Sequence, residues 1–296
     1  MENINIKAPR DDKRTRTFSW EEVSKYFFLL CSVLSIFFLL LICVFIFKDS
    51  IEFFGKLGVK DFILNDSWAP MNQPPTYGIL SMILGSIIIT ALSCLGAVPV
   101  AIMVAAYLAF DCPKKFYKIL KPGLNLMTGI PSIVYGLFGM LLFVMRLKFR
   151  YSLISGVLTM FIMVLPLIIR ASEQALLSID DELRAGSYAL GAGKLYTIRK
   201  VLLPVAMPGI MAGIILSIGR VVGETAALMF TLGTDPRVPT SLFQSGRSLA
   251  LHMYVLSSEG FHVEESYATG VVLVILVLII NIVSNLIGKK LTKGSK

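Results

Sequence analysis

Residues Arg184 to Pro204 read RAGSYALGAGKLYTIRKVLLP, the longest polar interruption between apolar runs in the C-terminal half of the chain. The stretch is patterned as two short helices. Ser178, Asp180 and Asp181 offer N-cap oxygens and first-turn negative charge just ahead of it, so a helix can begin there and run through Leu183, Ser187 and Leu190. Gly191 and Gly193 can stop it. Leu195, Ile198 and Leu202, at i, i+3 and i+7, predict a second helical turn, and Pro204 opens the next apolar run at a position where a helix tolerates proline. The reading is a helix-turn-helix knuckle held between two membrane spans.

Working outward, the composition agrees with membrane spans on both sides. The chain is 55% hydrophobic and only 16% charged, and its mean hydropathy is +0.76. That balance is far from a soluble domain and reads as an all-α integral membrane protein. A net charge of +9 suits nucleic acid in a soluble chain, but here the basic residues gather at the ends of apolar runs, the pattern of membrane topology. No nucleic-acid partner is expected. Cys31, Cys43, Cys94 and Cys112 show no CxxC spacing, and His252 and His262 make no metal pair by spacing. Neither a metal site nor a disulfide framework is indicated.

In chain order, residues 1–25 form a basic tail with Lys7, Arg10, Lys13, Arg14, Arg16 and Lys25. Tyr26–Phe47 is an apolar run of the ~20 residues that cross a bilayer, too long for a signal-peptide core. Residues 48–76 are mixed and polar and belong outside, with Trp68 expected at the interface as an aromatic anchor. Residues 77–287 form the core, with the knuckle at 178–204, and residues 288–296 form a second tail. Within the core, Tyr77–Phe110 is long enough to divide at Gly96 and Pro99, but division would put Lys114, Lys115, Lys118 and Lys121 outside and invert the knuckle. One tilted or kinked helix is the better reading. Leu120–Phe143, Ser152–Ile169, Val205–Phe230 and Tyr267–Ile287 complete six spans with both termini inside.

Charge supports this map. Nineteen Lys and Arg fall on expected inner segments, the knuckle's Arg184, Lys194, Arg199 and Lys200 among them, and eight on outer ones. The short outer loop with Arg146, Lys148 and Arg150 runs against the bias. It suits an anionic substrate, an acidic partner surface or lipid headgroups.

Two features rise above plain apolar helix. In GIPSIVYG, Gly129–Gly136, Pro131 removes a backbone donor and frees a carbonyl ahead of Ser132, while the glycines allow close approach. Such a kink lines a pathway or serves helix packing, and both remain open. In the fifth span Gly209 with Gly213, and Gly219 with Gly223, form two small-xxx-small pairs. Beside them Arg220 and Glu224 are the only charges expected deep in a span. Each costs about 2.5 to 3.5 kcal/mol to insert at mid-membrane, so they face protein or water. At i, i+4 they either pair with each other or line the route of an anion. No GxxxxGK[ST] occurs, so the chain cannot hydrolyse ATP by that device, and if transport is ATP-driven another subunit supplies the nucleotide site.

The knuckle resembles the cytoplasmic coupling loop of ABC importer permeases. The second half of that loop matches in register: Gly191, nine residues, then Val201, Leu202, Leu203 and Pro204, whereas Ala185 stands where the family has Glu. The resemblance implies a type I importer permease of six transmembrane helices whose coupling helix seats in a groove of an ATPase subunit. Glu182, Arg184, Gly191, Lys194 and Pro204 would carry that contact, with Glu182, one turn earlier, standing in for the missing Glu. GIPSIVYGLFG at Gly129–Gly139, GRVVGETAALMFTLGT at Gly219–Thr234 and SLALHMYVLSSEG at Ser248–Gly260 are similar to permeases of the bacterial high-affinity phosphate ABC transporter. This implies an inner-membrane subunit working with a second, related permease, two ATPase copies that bind ATP and Mg, and an extracytoplasmic phosphate-binding protein. It implies no cofactor in this chain, and a substrate path at Arg220, Glu224 and Thr225. Which of the two related permeases the chain resembles more is left open. An importer of another oxyanion or a phosphonate is the alternative within the family. A stand-alone secondary transporter or channel is the alternative outside it, and would show two similar halves with several acids inside the spans.

Overall fold

The computed structural model describes residues 20–293, with side-chain surroundings for residues 23–288. Lys7, Arg10, Lys13, Arg14, Arg16 and Lys296 lie outside the described residues. Two compact units divide between Ile46 and Phe47. Helix α1 (Trp20–Leu57) begins in the first. Its side chains from Tyr26 to Phe45 are largely apolar and exposed, a surface suited to lipid.

The second unit holds the rest. The α1 helix does not stop at Phe47, because Phe53, Phe54 and Leu57 continue an apolar face while Glu52 and Lys56 pair across one turn at 3.0 Å. It is followed by α2 (Val59–Leu64), then by β1 (Trp68–Ala69) and β2 (Thr76–Tyr77), which pair antiparallel. The ring of Phe53 meets Phe62 edge-on at 5.1 Å. The segment 48–76 is therefore packed and not a loose loop.

Next come α3 (Leu80–Phe110), α4 (Lys114–Gly129), α5 (Ser132–Gly139) with a π-helical continuation Met140–Arg146, and α6 (Leu153–Leu177). The knuckle supplies α7 (Asp181–Ala189) and α8 (Lys194–Thr197). A π-helical turn, Ile198–Leu202, leads into α9 (Leu203–Val222), and α10 (Ala226–Met229), α11 (Leu249–Glu259) and α12 (Val263–Lys293) complete the chain. Among the described residues, five helical segments are long and apolar enough to cross a membrane: Val23–Leu57, Leu80–Phe110, Leu153–Leu177, Lys194–Val222 and Val263–Gly288. The pair α4 and α5 supplies a sixth as a bent span. As expected, Leu80–Phe110 is a single helix with Pro99 inside it.

The core forms where α3, α6 and α9 meet. Ala97 and Ala101 of α3 are buried with Met160, Val164 and Ile168 of α6, and Val221 of α9 closes the cluster. Lipid offers no hydrophobic drive between helices, so close packing of small residues does the work. A Cβ added at Gly209 would fall 2.6 Å from Ala175 Cβ, and one at Gly213 would collide with Ala171. The first small-xxx-small pair is thus the α6–α9 contact. The second is not a contact: Gly219 has nothing within 4 Å of its missing Cβ, and Gly223 meets only its own helix's carbonyl.

Most spans differ in extent from the sequence reading. Leu120–Phe143 is not one helix: the chain bends by 98° between Gly129 and Ser132. Val205–Phe230 ends as a helix at Val222, because Gly223 starts a break before the single turn of α10. Ser152–Ile169 runs on to Leu177, since Ile169, Glu173 and Leu176 extend the buried face at i, i+4 and i+7. The last helix likewise continues past Ile287 to Lys293.

Candidate functional site

Proline at 131 has no N–H to give the carbonyl of Met127, its i−4 partner in a helix. That carbonyl instead accepts from the Ile130 N–H at 3.3 Å and from the Tyr135 hydroxyl at 2.8 Å. The tyrosine therefore spans the bend that the proline causes. Pro131 occupies the N-cap position of α5 and is exposed, and Ser132, the first residue of α5, is half-buried. Beyond the bend, a Cβ on Gly136 would come within 2.7 Å of Ala227 Cα, so α5 touches α10 backbone to backbone. The two interrupted helices are neighbours.

Arg220 stands in the last turn of α9, where the negative end of the helix dipole favours a cation. Glu224 lies past the break, buried, and its Oε1 accepts the Ala227 N–H at 3.1 Å, which caps α10. Among the described residues these two make no ion pair, and the i, i+4 pairing open in the sequence is absent because the helix ends between them. Thr225 is the half-buried N-cap residue of α10, with no side-chain cap bond. Arg220 and Gly219 line a groove of about 760 Å³ with Leu167, Ile215, Asn281 and Asn285. The two asparagines sit in a run so apolar that composition hid them.

The knuckle folds as its sequence suggests, with one change at its start. Asp180 holds the N-cap position of α7 but makes no side-chain cap bond, and Ser178 donates to Ala175 O instead. Asp181 and Glu182 place negative charge in the first turn. At the other end Gly191, at φ +80°, receives the chain in the left-handed region. Its N–H bonds Tyr188 O at 2.9 Å and the Ala192 N–H bonds Ser187 O at 3.2 Å, the paired bonds of a Schellman cap. Ser187 and Thr197 hydroxyls, 2.9 Å apart, tie the two helices together. Arg184 pairs with Asp181 at 3.1 Å and lies over the Phe110 ring, while Lys194 pairs with Asp111. Both contacts fasten the knuckle to the C-terminal end of α3.

The tip carries apolar side chains in the open. Leu190 is 91% exposed and Leu195 78%. A groove of about 790 Å³ runs past Glu182, Leu183, Leu190, Gly191 and Tyr196. Pro204 does not start a new helix. Lys194 to Val222 is continuous, and the wide π turn at Ile198–Leu202 lets it pass through the proline without a break. Knuckle and Arg220 are thus two ends of one helix.

One deep acid escapes composition-based reading. Glu173 on α6 is 3% exposed and accepts the Tyr117 hydroxyl of α4 at 2.6 Å, with Lys121 Nζ at 3.5 Å. It clamps α4, the polar limb of the bent span. Its place on the buried face of an extending helix was the available signal.

Trp68 packs among other rings. Its ring stands edge-on to His252 at 4.4 Å and to Tyr77 at 5.7 Å. Arg247 donates through Nε to Thr234 O at 2.8 Å, and its Nη1 lies 3.0 Å from His252 Nδ1. Burial first, then the Arg247 and His262 charges, push the His252 pKa down to about 3. The ring is neutral and accepts from the guanidinium. The histidines that spacing left apart meet around one tryptophan, and among the described residues no group of three or more His, Cys, Asp or Glu is gathered to hold a metal.

Residues 97–295 match the family described as binding-protein-dependent transport system inner membrane component. The chain is 36% identical over 213 residues to the probable ABC transporter permease protein YqgH of Bacillus subtilis, covering 67% of this chain and 69% of that one. It is 33% identical over 213 residues to the phosphate transport system permease protein PstA 1 of Mycobacterium tuberculosis, covering 71% and 70%. The crystal structure of a bacterial alginate ABC transporter with its alginate-bound periplasmic protein shares the fold at a TM-score of 0.68 and 15% identity, over 93% of this chain and 98% of that chain. A bent third span, a knuckle between the fourth and fifth, and these matches agree: the chain belongs to the inner-membrane permease components of ABC importers.

Proposed function

We propose that this chain is one of a pair of permease subunits in an ATP-driven importer of inorganic phosphate. Membership of the family brings an ATPase and a substrate-binding protein as partners. The finer assignment is a second, related permease, a dimer of ATPase subunits that hold ATP and Mg, and an extracytoplasmic phosphate-binding protein. That protein docks on the outer segments 49–76 and 231–266. Both termini lie in the cytoplasm, in keeping with the Lys and Arg distribution.

The observation that carries this reading is the continuous helix from Lys194 to Val222. At its inner end is an exposed apolar knuckle, with Glu182, Arg184, Gly191, Lys194 and Pro204 shaping a surface for the ATPase. At its outer end, about 40 Å away, is Arg220 beside two interrupted helices. Closure of the ATPase dimer moves the knuckle, and the helix moves the cation. A guanidinium matches the oxygens of an oxyanion, and the fixed negative charge of Glu224, with Thr225 beside it, lowers the attraction enough for release. Phosphate as the anion is supported by the relative named for phosphate transport.

Reconstituted complex in vesicles, given ATP and labelled phosphate with competing sulfate or phosphonate, tests the substrate. Phosphate should outcompete both. Preferential uptake of another oxyanion moves the assignment within the family. Arg220→Gln should abolish uptake with the complex intact, and wild-type uptake removes Arg220 from the path.

A further inference from the structure

Gly288 of α12 faces Met211 of α9, with a Cβ there 3.6 Å from Met211 Cβ. Three and seven residues back along α12 are Asn285 and Asn281, which share a groove with Ala212, Ile215, Leu216 and Gly219 of α9, so the two helices run antiparallel. Both line the same groove as Arg220. At a helical rise the three groups occupy about 9 Å of depth, ordered from Arg220 through Asn281 to Asn285 toward the cytosol. Neither amide bonds another described residue, and an amide left facing hydrocarbon is costly, so this face meets water, a substrate or a protein. Gly219 leaves the space beside them open.

We propose that Asn281 and Asn285 form an amide ladder that receives the oxyanion from Arg220 and hands it toward the cytosol. The proposal rests on the import reading above. An amide NH₂ donates to oxyanion oxygens, and its carbonyl accepts from the P–OH of hydrogen phosphate, without a net charge that traps the ion. The cation attracts; the neutral rungs let go.

The test compares Asn281→Leu/Asn285→Leu and Arg220→Gln in the complete transporter, reading labelled phosphate uptake and co-purification of the other subunits. The double variant should assemble normally and transport at least tenfold more slowly at saturating substrate. Wild-type uptake by the double variant overturns the ladder alone if Arg220→Gln is inactive, and overturns the ladder with the path if Arg220→Gln is active too. Loss of the second permease from the double variant also overturns it, placing the groove at the subunit interface. As a second measure, Asn285→Cys in a chain with its four native cysteines replaced should react with a charged thiol reagent, and inorganic phosphate should slow that reaction. Absence of labelling, or labelling indifferent to phosphate, overturns the proposal.

Discussion

The Tyr135 hydroxyl donates to the Met127 carbonyl at 2.8 Å, across a bend of 98°. Because Pro131 cannot serve that carbonyl, the bond holds the bend at its angle. Tyr135→Phe leaves the acceptor with only the longer Ile130 bond, at a cost of about 0.5–1.5 kcal/mol. The complex should assemble with a lower melting temperature, and phosphate uptake should drop severalfold. Unchanged melting and uptake would show that the bend is held elsewhere.

Glu173 clamps the other limb through Tyr117 and Lys121. Glu173→Leu takes away the acceptor of the Tyr117 hydroxyl, which keeps only its bond from Lys121, and should destabilise the complex by about 1.5–3 kcal/mol. Glu173→Gln keeps an acceptor and should lose much less. Thermal melting of the two purified variants decides it, and equal losses would mean that charge, not the hydrogen bond, matters.

Two glycines of α9 should behave oppositely. Gly209→Leu drives a side chain into Ala175, and overpacking of that kind costs about 1–3 kcal/mol or more. Gly219→Leu meets open space, so the protein should keep its melting temperature while the narrowed groove slows uptake. Melting curves and uptake of both variants separate packing from passage.

Gly191 sits at φ +80°, where a β-branched residue is strained by about 1–2 kcal/mol. Gly191→Val has room for its side chain but not for its backbone, so the damage should stay in the knuckle. ATPase co-purification should weaken while the rest of the permease melts normally.

His252 gives a pH signature. Its native pKa of about 3 is below the ordinary 6.5, so under pH 6.5 the unfolded chain binds a proton that the native chain refuses. Stability should therefore be flat above pH 7 and decline as pH falls through 6.5. The loss from this group is about 1.4 kcal/mol one unit lower. His252→Asn retains an acceptor for Arg247 and should flatten the slope; melting between pH 5 and 8 measures it. His262 and Arg247, the groups that face the ring, stay in place in both proteins.

The knuckle was legible because its information is local: Gly191 and the spacing to Pro204 define a turn without help from other helices. The freed carbonyl at Pro131 was legible for the same reason. The right angle that follows was not, because it depends on Tyr135 and on the clamp at Glu173, both tertiary. The break at Gly223 was masked by the apolar Ala226–Phe230 that follows, and hydropathy cannot tell a broken span from a whole one. Glu173 was missed because Arg170 looks like the end of a run, although Leu176 continues its buried face. Asn281 and Asn285 are too few to shift a window average, and only the neighbouring helix shows that they share a wall with Arg220.

Lys194 and Arg220 ride on the same shaft, and that sets a condition on how the chain can change. Each residue turns an α-helix by about 100°, so one residue inserted between Leu203 and Gly219 swings the cation away from its groove while the handle stays where it is. Three or four inserted residues nearly restore the azimuth but lengthen the shaft by about 5 Å. Gearing of this kind tolerates substitution far better than it tolerates a change of length.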